Sequence, residues 1–164
     1  MMALQDRKKT AYMGLLLAFA LILSYVESLI PFFFGVPGMK LGLANLAVLL
    51  TMYLFGAKEA FTINFCRIVI SSFLFGNMSM LLYSLAGGVF SFAVMFLMKK
   101  TNRFSITGVS MGGGVFHNIG QLLVAFCVVR TEGIFYYMPV LLIAGIVTGF
   151  LNGVIAIAVR RNIT

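Results

Sequence analysis

The chain is written in long apolar blocks separated by short polar breaks. The blocks cover residues 11–30, 41–55, 57–75, 78–98, 106–129 and 137–159. The breaks read "PFFFGVPGMK", "FGAKE", "FGNMS", "KKTNRFS" and "RTEG", all rich in turn formers. A helix needs about 20 residues to cross the hydrocarbon, with ~17 to 25 typical. The pattern therefore predicts six transmembrane helices. The second block is short, reaching only about 22 Å at ~1.5 Å per residue. It is expected to begin earlier, in the turn at 38–40, or to leave the bilayer locally thin. Open strands cannot cross lipid, and the blocks are too continuously apolar for an alternating barrel. The first block follows Arg7, Lys8 and Lys9 but is too long for a signal peptide and lacks a clean small-residue cleavage pattern.

Composition turns this pattern into a class. Hydrophobic residues make up 62% of the 164 and charged residues only 10%, against about half and a quarter in soluble domains. The reading is an all-α, polytopic membrane protein, a six-helix bundle forming a single domain over residues 1–164. The net charge of +8 does not signal nucleic acid, because the basic residues flank apolar blocks and form no contiguous face. One side collects Arg7, Lys8, Lys9, Lys58, Lys99, Lys100, Arg103, Arg160 and Arg161; the other has Lys40 and Arg130. That bias places both termini in the cytoplasm and the chain in the cell membrane as a multi-pass protein. Cys66 and Cys127 lie inside apolar blocks without metal-ligand spacing and read as small buried hydrophobes.

The informative residues are those the bilayer disfavours. Arg67 sits near the middle of the third block, where insertion costs about 2.5 to 3.5 kcal/mol. Asn64 and Ser71 share its helical face. Arg67 either locks helices by pairing with Glu27 or forms the wall of an anion site, and the two overlap if Glu27 yields to a ligand. Glu27 itself is either buried or exposed at the interface. His117, Asn118 and Gln121 interrupt the fifth block, with Gly113, His117 and Gln121 four apart, so glycine would clear space beside hydrogen-bonding groups. They either glue helices together or line a pocket. Asn45, Tyr83 and Ser84 fall at similar depth, and Lys40 and Arg130 at the outer mouth. The candidate substrate site is thus Glu27, Lys40, Asn45, Arg67, Tyr83, His117, Asn118 and Gln121, suited to a carboxylate or phosphate.

Gly145, Gly149 and Gly153 make a stripe read as packing within the monomer, whereas Gly14 and Ala18 could receive a second membrane subunit. No phosphate-binding loop is present, and no catalytic residue, metal or cofactor is implied. Active transport would draw its energy from partners.

"KLGLANL", "NFCRIVISS", "YSLAGGVFSFAVM", "GVSMGGGVFHNIGQLLVA" and "YMPVLLIAGIVTGFLNG" together resemble the bacterial membrane family called heptaprenyl diphosphate synthase component I, or the Gx transporter family, over about residues 10 to 160. That family resembles the substrate-binding S components of energy-coupling factor transporters. The resemblance implies capture of a small extracellular precursor or vitamin-like solute. Its partners would be a transmembrane coupling subunit and two cytoplasmic ATPases, docked through the first helix. There the family pattern Ala-x-x-x-Ala reads Gly14-x-x-x-Ala18. It also implies a gate at residues 31–40. The synthase label does not imply an enzyme: Asp6 is the single aspartate, and aspartate-rich motifs are what hold Mg²⁺ for diphosphate. A non-catalytic membrane subunit of prenyl diphosphate synthesis is the alternative, and a homo-oligomeric channel a third reading.

Overall fold

The computed structural model describes residues 2–30, 40–130 and 132–163, with side chains for 7–30, 40–130 and 132–162. Their regular structure is entirely helical: α1 Met2–Leu29, α2 Asn45–Leu54, α3 Ala57–Phe75, α4 Met78–Lys100, α5 Ile106–Val129 and α6 Met138–Ile163, with a 3₁₀ turn at Glu132–Tyr137 before α6. Boundaries follow local chemistry. Asn77 accepts from the Met80 N–H at 2.9 Å and Ser105 from the Gly108 N–H at 3.1 Å, capping α4 and α5. Arg130, with φ of 51°, ends α5 in the left-handed region.

The helices form an arc in the order α1, α3, α4, α5, α6, and α2 touches each of them from within. Polarity is inverted relative to a water-soluble fold. Among the described residues, buried polar side chains are nearly as numerous as buried apolar ones, while large apolar side chains such as Leu15, Phe73 and Ile143 cover the outside. Four segments are long and apolar enough to cross a membrane: Arg7–Leu29, Met78–Lys100, Ile106–Val129 and Glu132–Asn162. The molecule is an all-helical bundle whose apolar outside and long apolar helices suggest a membrane protein.

Two elements depart from the simple count of spans. α3 is long enough but carries Lys58, Glu59 and Arg67. The second block starts its helix later than expected, at Asn45, and α2 has only 10 residues, about 15 Å. Its first eight residues are all buried, so it is an internal half-helix rather than a lipid-facing span. Residues 40–44 before it are non-helical, with Gly42 at φ 88°. Irregular backbone is tolerated at membrane depth only where protein or water satisfies it, and this requirement organises the site.

The basic residues collect at one end. Lys9 pairs with Glu59 at 2.5 Å, joining the starts of α1 and α3. Lys99 and Arg160 both sit over the Tyr53 ring, at 4.6 and 5.7 Å. The Lys99 ammonium also donates to the Met52 carbonyl, capping the last turn of α2. α5 and α6 meet at backbone distance, since a Cβ on Gly145 would lie 2.7 Å from the Gly114 oxygen and one on Gly149 2.6 Å from the Met111 Cα. The α6 glycine stripe therefore packs the monomer. Cys66 is half-buried and Cys127 exposed, so neither is the buried hydrophobe expected.

Candidate functional site

The segment at residues 40–44 lies outside any helix; the Asn45 and Leu46 N–H groups donate to the Gly42 and Leu43 carbonyls at 3.1 and 3.0 Å, and side chains from three helices serve its peptide groups as well. The Lys40 N–H donates to Gln121 Oε1 at 2.8 Å, and Gln121 Nε2 returns a bond to the Lys40 carbonyl at 3.0 Å. One amide side chain thus pairs with a peptide as a neighbouring strand would. The Gly42 and Leu43 N–H groups both donate to Glu27 Oε1, the latter at 3.1 Å. Asn152 Nδ2 donates to the Gly42 carbonyl at 3.1 Å and the Thr148 hydroxyl to the Leu41 carbonyl at 3.3 Å.

Arg67 lies beside this segment. Its Nη2 donates to Asn45 Oδ1 at 3.0 Å and to Asn64 Oδ1 at 2.9 Å, and its Nε to Asn64 Oδ1 at 3.2 Å. Asn64 is oriented in turn by the Gly88 carbonyl, at 3.0 Å. His117 Nε2 is 2.5 Å from Gln121 Nε2, and a Cβ on Gly42 would lie 3.0 Å from the His117 ring and 2.9 Å from Asn45 Nδ2. Glycine is needed there for that closeness as well as for its φ. Glu27, Lys40, Asn45, Arg67, His117 and Gln121 are therefore one buried hub, contributed by α1, α2, α3, α5 and the lead-in to α2.

The other two candidates are buried but held elsewhere. Asn118 Nδ2 donates to the Leu141 carbonyl at 2.7 Å, and Tyr83 packs with Leu122, Ala125, Ile134 and Leu141. Several finer expectations are corrected. Among the described residues Arg67 and Glu27 do not close an ion pair; the Arg67 bonds go from Nε and Nη2 to the oxygens of Asn45 and Asn64. Lys40 is buried rather than at a mouth; Arg130 is exposed. Ser71 turns back to the Ile68 carbonyl at 3.4 Å. Gly113 makes room for Met95 of α4, not for a ligand. The gate expected at residues 31–40 lies outside the described residues except for Lys40. Thr148 and Asn152 were missed, although a polar pair four apart within an apolar helix is the same signal that picked out His117 and Gln121.

The charges do not balance. Glu27 is within electrostatic reach of both Lys40 and Arg67, two basic side chains beside one acidic one. The N-terminus of α2 points at the same place and adds partial positive charge. Asn45 Nδ2 is a buried donor with no partner. The surface cavities lined by described residues, of about 240 to 430 Å³, lie away from the hub, one of them between Phe126, Glu132 and Tyr136. Among the described residues no group of three His, Cys, Asp or Glu side chains is placed to hold a metal.

Bundle and hub together suggest a membrane component whose costly polar groups are gathered inside around a short helix and its non-helical lead-in. The chain belongs to the family described as heptaprenyl diphosphate synthase component I, which it matches over residues 16–159. No curated protein and no solved structure matches it.

Proposed function

We propose that the protein is the solute-capturing membrane subunit of an ATP-driven uptake system of the energy-coupling factor type, oriented with its basic end in the cytoplasm. The observation that carries this reading is the gathering of two buried basic side chains, Arg67 and Lys40, and the α2 N-terminus around one acid, beside an Asn45 donor with no partner among the described residues. Broken helices whose N-termini face anionic groups are how several transporters hold substrate. The substrate is a small carboxylate or phosphate entering from the end opposite the basic residues. Arg67 would bind it by a two-pronged contact, Lys40, Asn45 and His117 would complete the shell with Gln121 holding the Lys40 backbone beside it, and Tyr83 and Asn118 would shape the outer wall. Glu27 holds the segment at 40–43 and balances the cations in the unliganded protein.

Ligand-induced thermal stabilisation tests the assignment. Replacing Arg67 by Gln is expected to weaken binding of the anionic solute by about 10- to 150-fold, the loss of one charged hydrogen-bonding partner at ~1.5–3 kcal/mol. Equal affinity in wild type and Arg67→Gln would remove Arg67 from the site.

Gly14 and Ala18 are both exposed on α1, and a Cβ on Gly14 meets nothing within 4 Å. Replacing Gly14 by Leu is expected to leave stability unchanged to within about 1 kcal/mol while abolishing retention of a coupling subunit during purification. A variant that keeps its partner would discard docking through this face. The family description favours a second reading, a non-catalytic membrane subunit that anchors prenyl diphosphate synthesis. Purification from native membranes separates the two: uptake requires a membrane coupling subunit and ATPases, the anchor a soluble synthase.

A further inference from the structure

The basic end carries a feature that the hub does not use. Between α3 and α4 two adjoining cavities of about 430 and 370 Å³ share Ala57 and Phe96 in their walls. The inner one is aromatic: Phe61 and Phe92 meet edge-on at 5.3 Å, and Phe92 stacks on Phe96 at 6.3 Å. Phe61 is 47% and Phe96 38% exposed, so this lane opens outward rather than into the bundle. Lys58 lines its end, and Lys99 and Lys100 line the adjoining cavity.

The two halves are ordered by depth. Lys58 stands in the first turn of α3 and Lys100 closes α4. Phe61 and Phe96 lie three or four residues further in, one turn or about 5 Å deeper. The acid beside Lys58 in sequence, Glu59, is paired with Lys9 instead. The Lys99 ammonium is committed to the Met52 carbonyl. Lys58 and Lys100, both exposed, are left facing the headgroup layer above an aromatic lane.

A cation pair at the interface with an apolar groove one turn beneath it matches a molecule built the same way. Basic pockets between transmembrane helices are places where anionic headgroups bind. We infer that the α3–α4 groove binds an amphiphile with a net-anionic phosphate head, its head between Lys58 and Lys100 and its tail along Phe61, Phe92 and Phe96. The site is separate from the hub and stands whether or not the hub carries a solute.

The test uses the full chain in neutral nanodiscs, with binding read by native mass spectrometry. The probes are phosphatidylglycerol, phosphatidylcholine, farnesyl diphosphate, farnesol and inorganic diphosphate. The anionic amphiphiles are expected to bind, and the neutral lipid, the alcohol and the bare diphosphate to bind weakly. Replacing Lys58 and Lys100 together by Gln is expected to lower amphiphile affinity about 30-fold, two charges at ~1 kcal/mol each. Replacing Arg7 and Arg161 together by Gln removes equal charge from the same end outside the groove and is expected to leave affinity nearly unchanged. Binding of phosphatidylglycerol alone would make the occupant a bilayer lipid, and of farnesyl diphosphate alone a prenyl diphosphate; either supports the site. Equal losses in the two double variants, or inorganic diphosphate binding as tightly as the amphiphiles, would overturn it.

Discussion

Replacing Gln121 by leucine is expected to lower the stability of the bundle by about 2–6 kcal/mol, the cost of stranding two buried backbone groups at ~1–3 kcal/mol each. The side chain is fully buried, and its amide satisfies both the N–H and the carbonyl of Lys40. Leucine has similar volume, so the loss isolates hydrogen bonding from packing. Water cannot take over the bonds at that depth as it does at a protein surface. Gln121→Glu, at a pH where the new carboxyl is neutral, keeps an acceptor for the Lys40 N–H and one O–H donor for its carbonyl but loses the second amide hydrogen beside His117, and is expected to fall between wild type and leucine. Thermal unfolding in a mild detergent reads the series. A leucine variant as stable as wild type would mean that the segment at 40–44 is not held through this amide.

Replacing Glu27 by Gln is expected to destabilise by a similar amount, about 3–5 kcal/mol, as when one partner of a buried charge arrangement is removed. An oxygen still faces the Gly42 and Leu43 N–H groups, so backbone satisfaction is largely kept. What disappears is the carboxylate that offsets Lys40 and Arg67. Adding Arg67→Met is then expected to recover part of the loss, since the second change removes a charge the first left uncompensated. The measurement is a double-mutant cycle on unfolding. If the two losses simply add, Glu27 serves the backbone and not the charge balance.

The helix limits were legible because their breaks carry local chemistry. "FGNMS" contains the Asn77 cap and "NRFS" the Ser105 cap, and the structure starts α4 and α5 at those residues. The gathering of Glu27, Asn45, Arg67, His117 and Gln121 was also legible, because each ionic or amide group in a bilayer needs partners and the partners are few. What they do there was not. Residues 41–44, "LGLA", are as apolar as any helix and have no period of their own, so nothing marked them as irregular except Gly42. Without that segment Gln121 looks like a spare donor; with it, both ends of the amide are already engaged. Thr148 and Asn152 were hidden for a related reason, since the adjacent glycines accounted for that part of α6 as packing.

The bonds that hold the lead-in to α2 join residues far apart in the chain: 81 positions separate Lys40 from Gln121, 107 separate Leu41 from Thr148 and 110 separate Gly42 from Asn152. During synthesis that stretch emerges long before most of its partners exist. Until α5 and α6 are delivered, Glu27 of α1 and the turn bonds from Asn45 and Leu46 can serve Gly42 and Leu43, but the Lys40 peptide groups and the Leu41 carbonyl lack the partners they have in the bundle. Settling of this early stretch of backbone is therefore expected to come after α5 and α6 arrive, as an inward step of a segment made long before them.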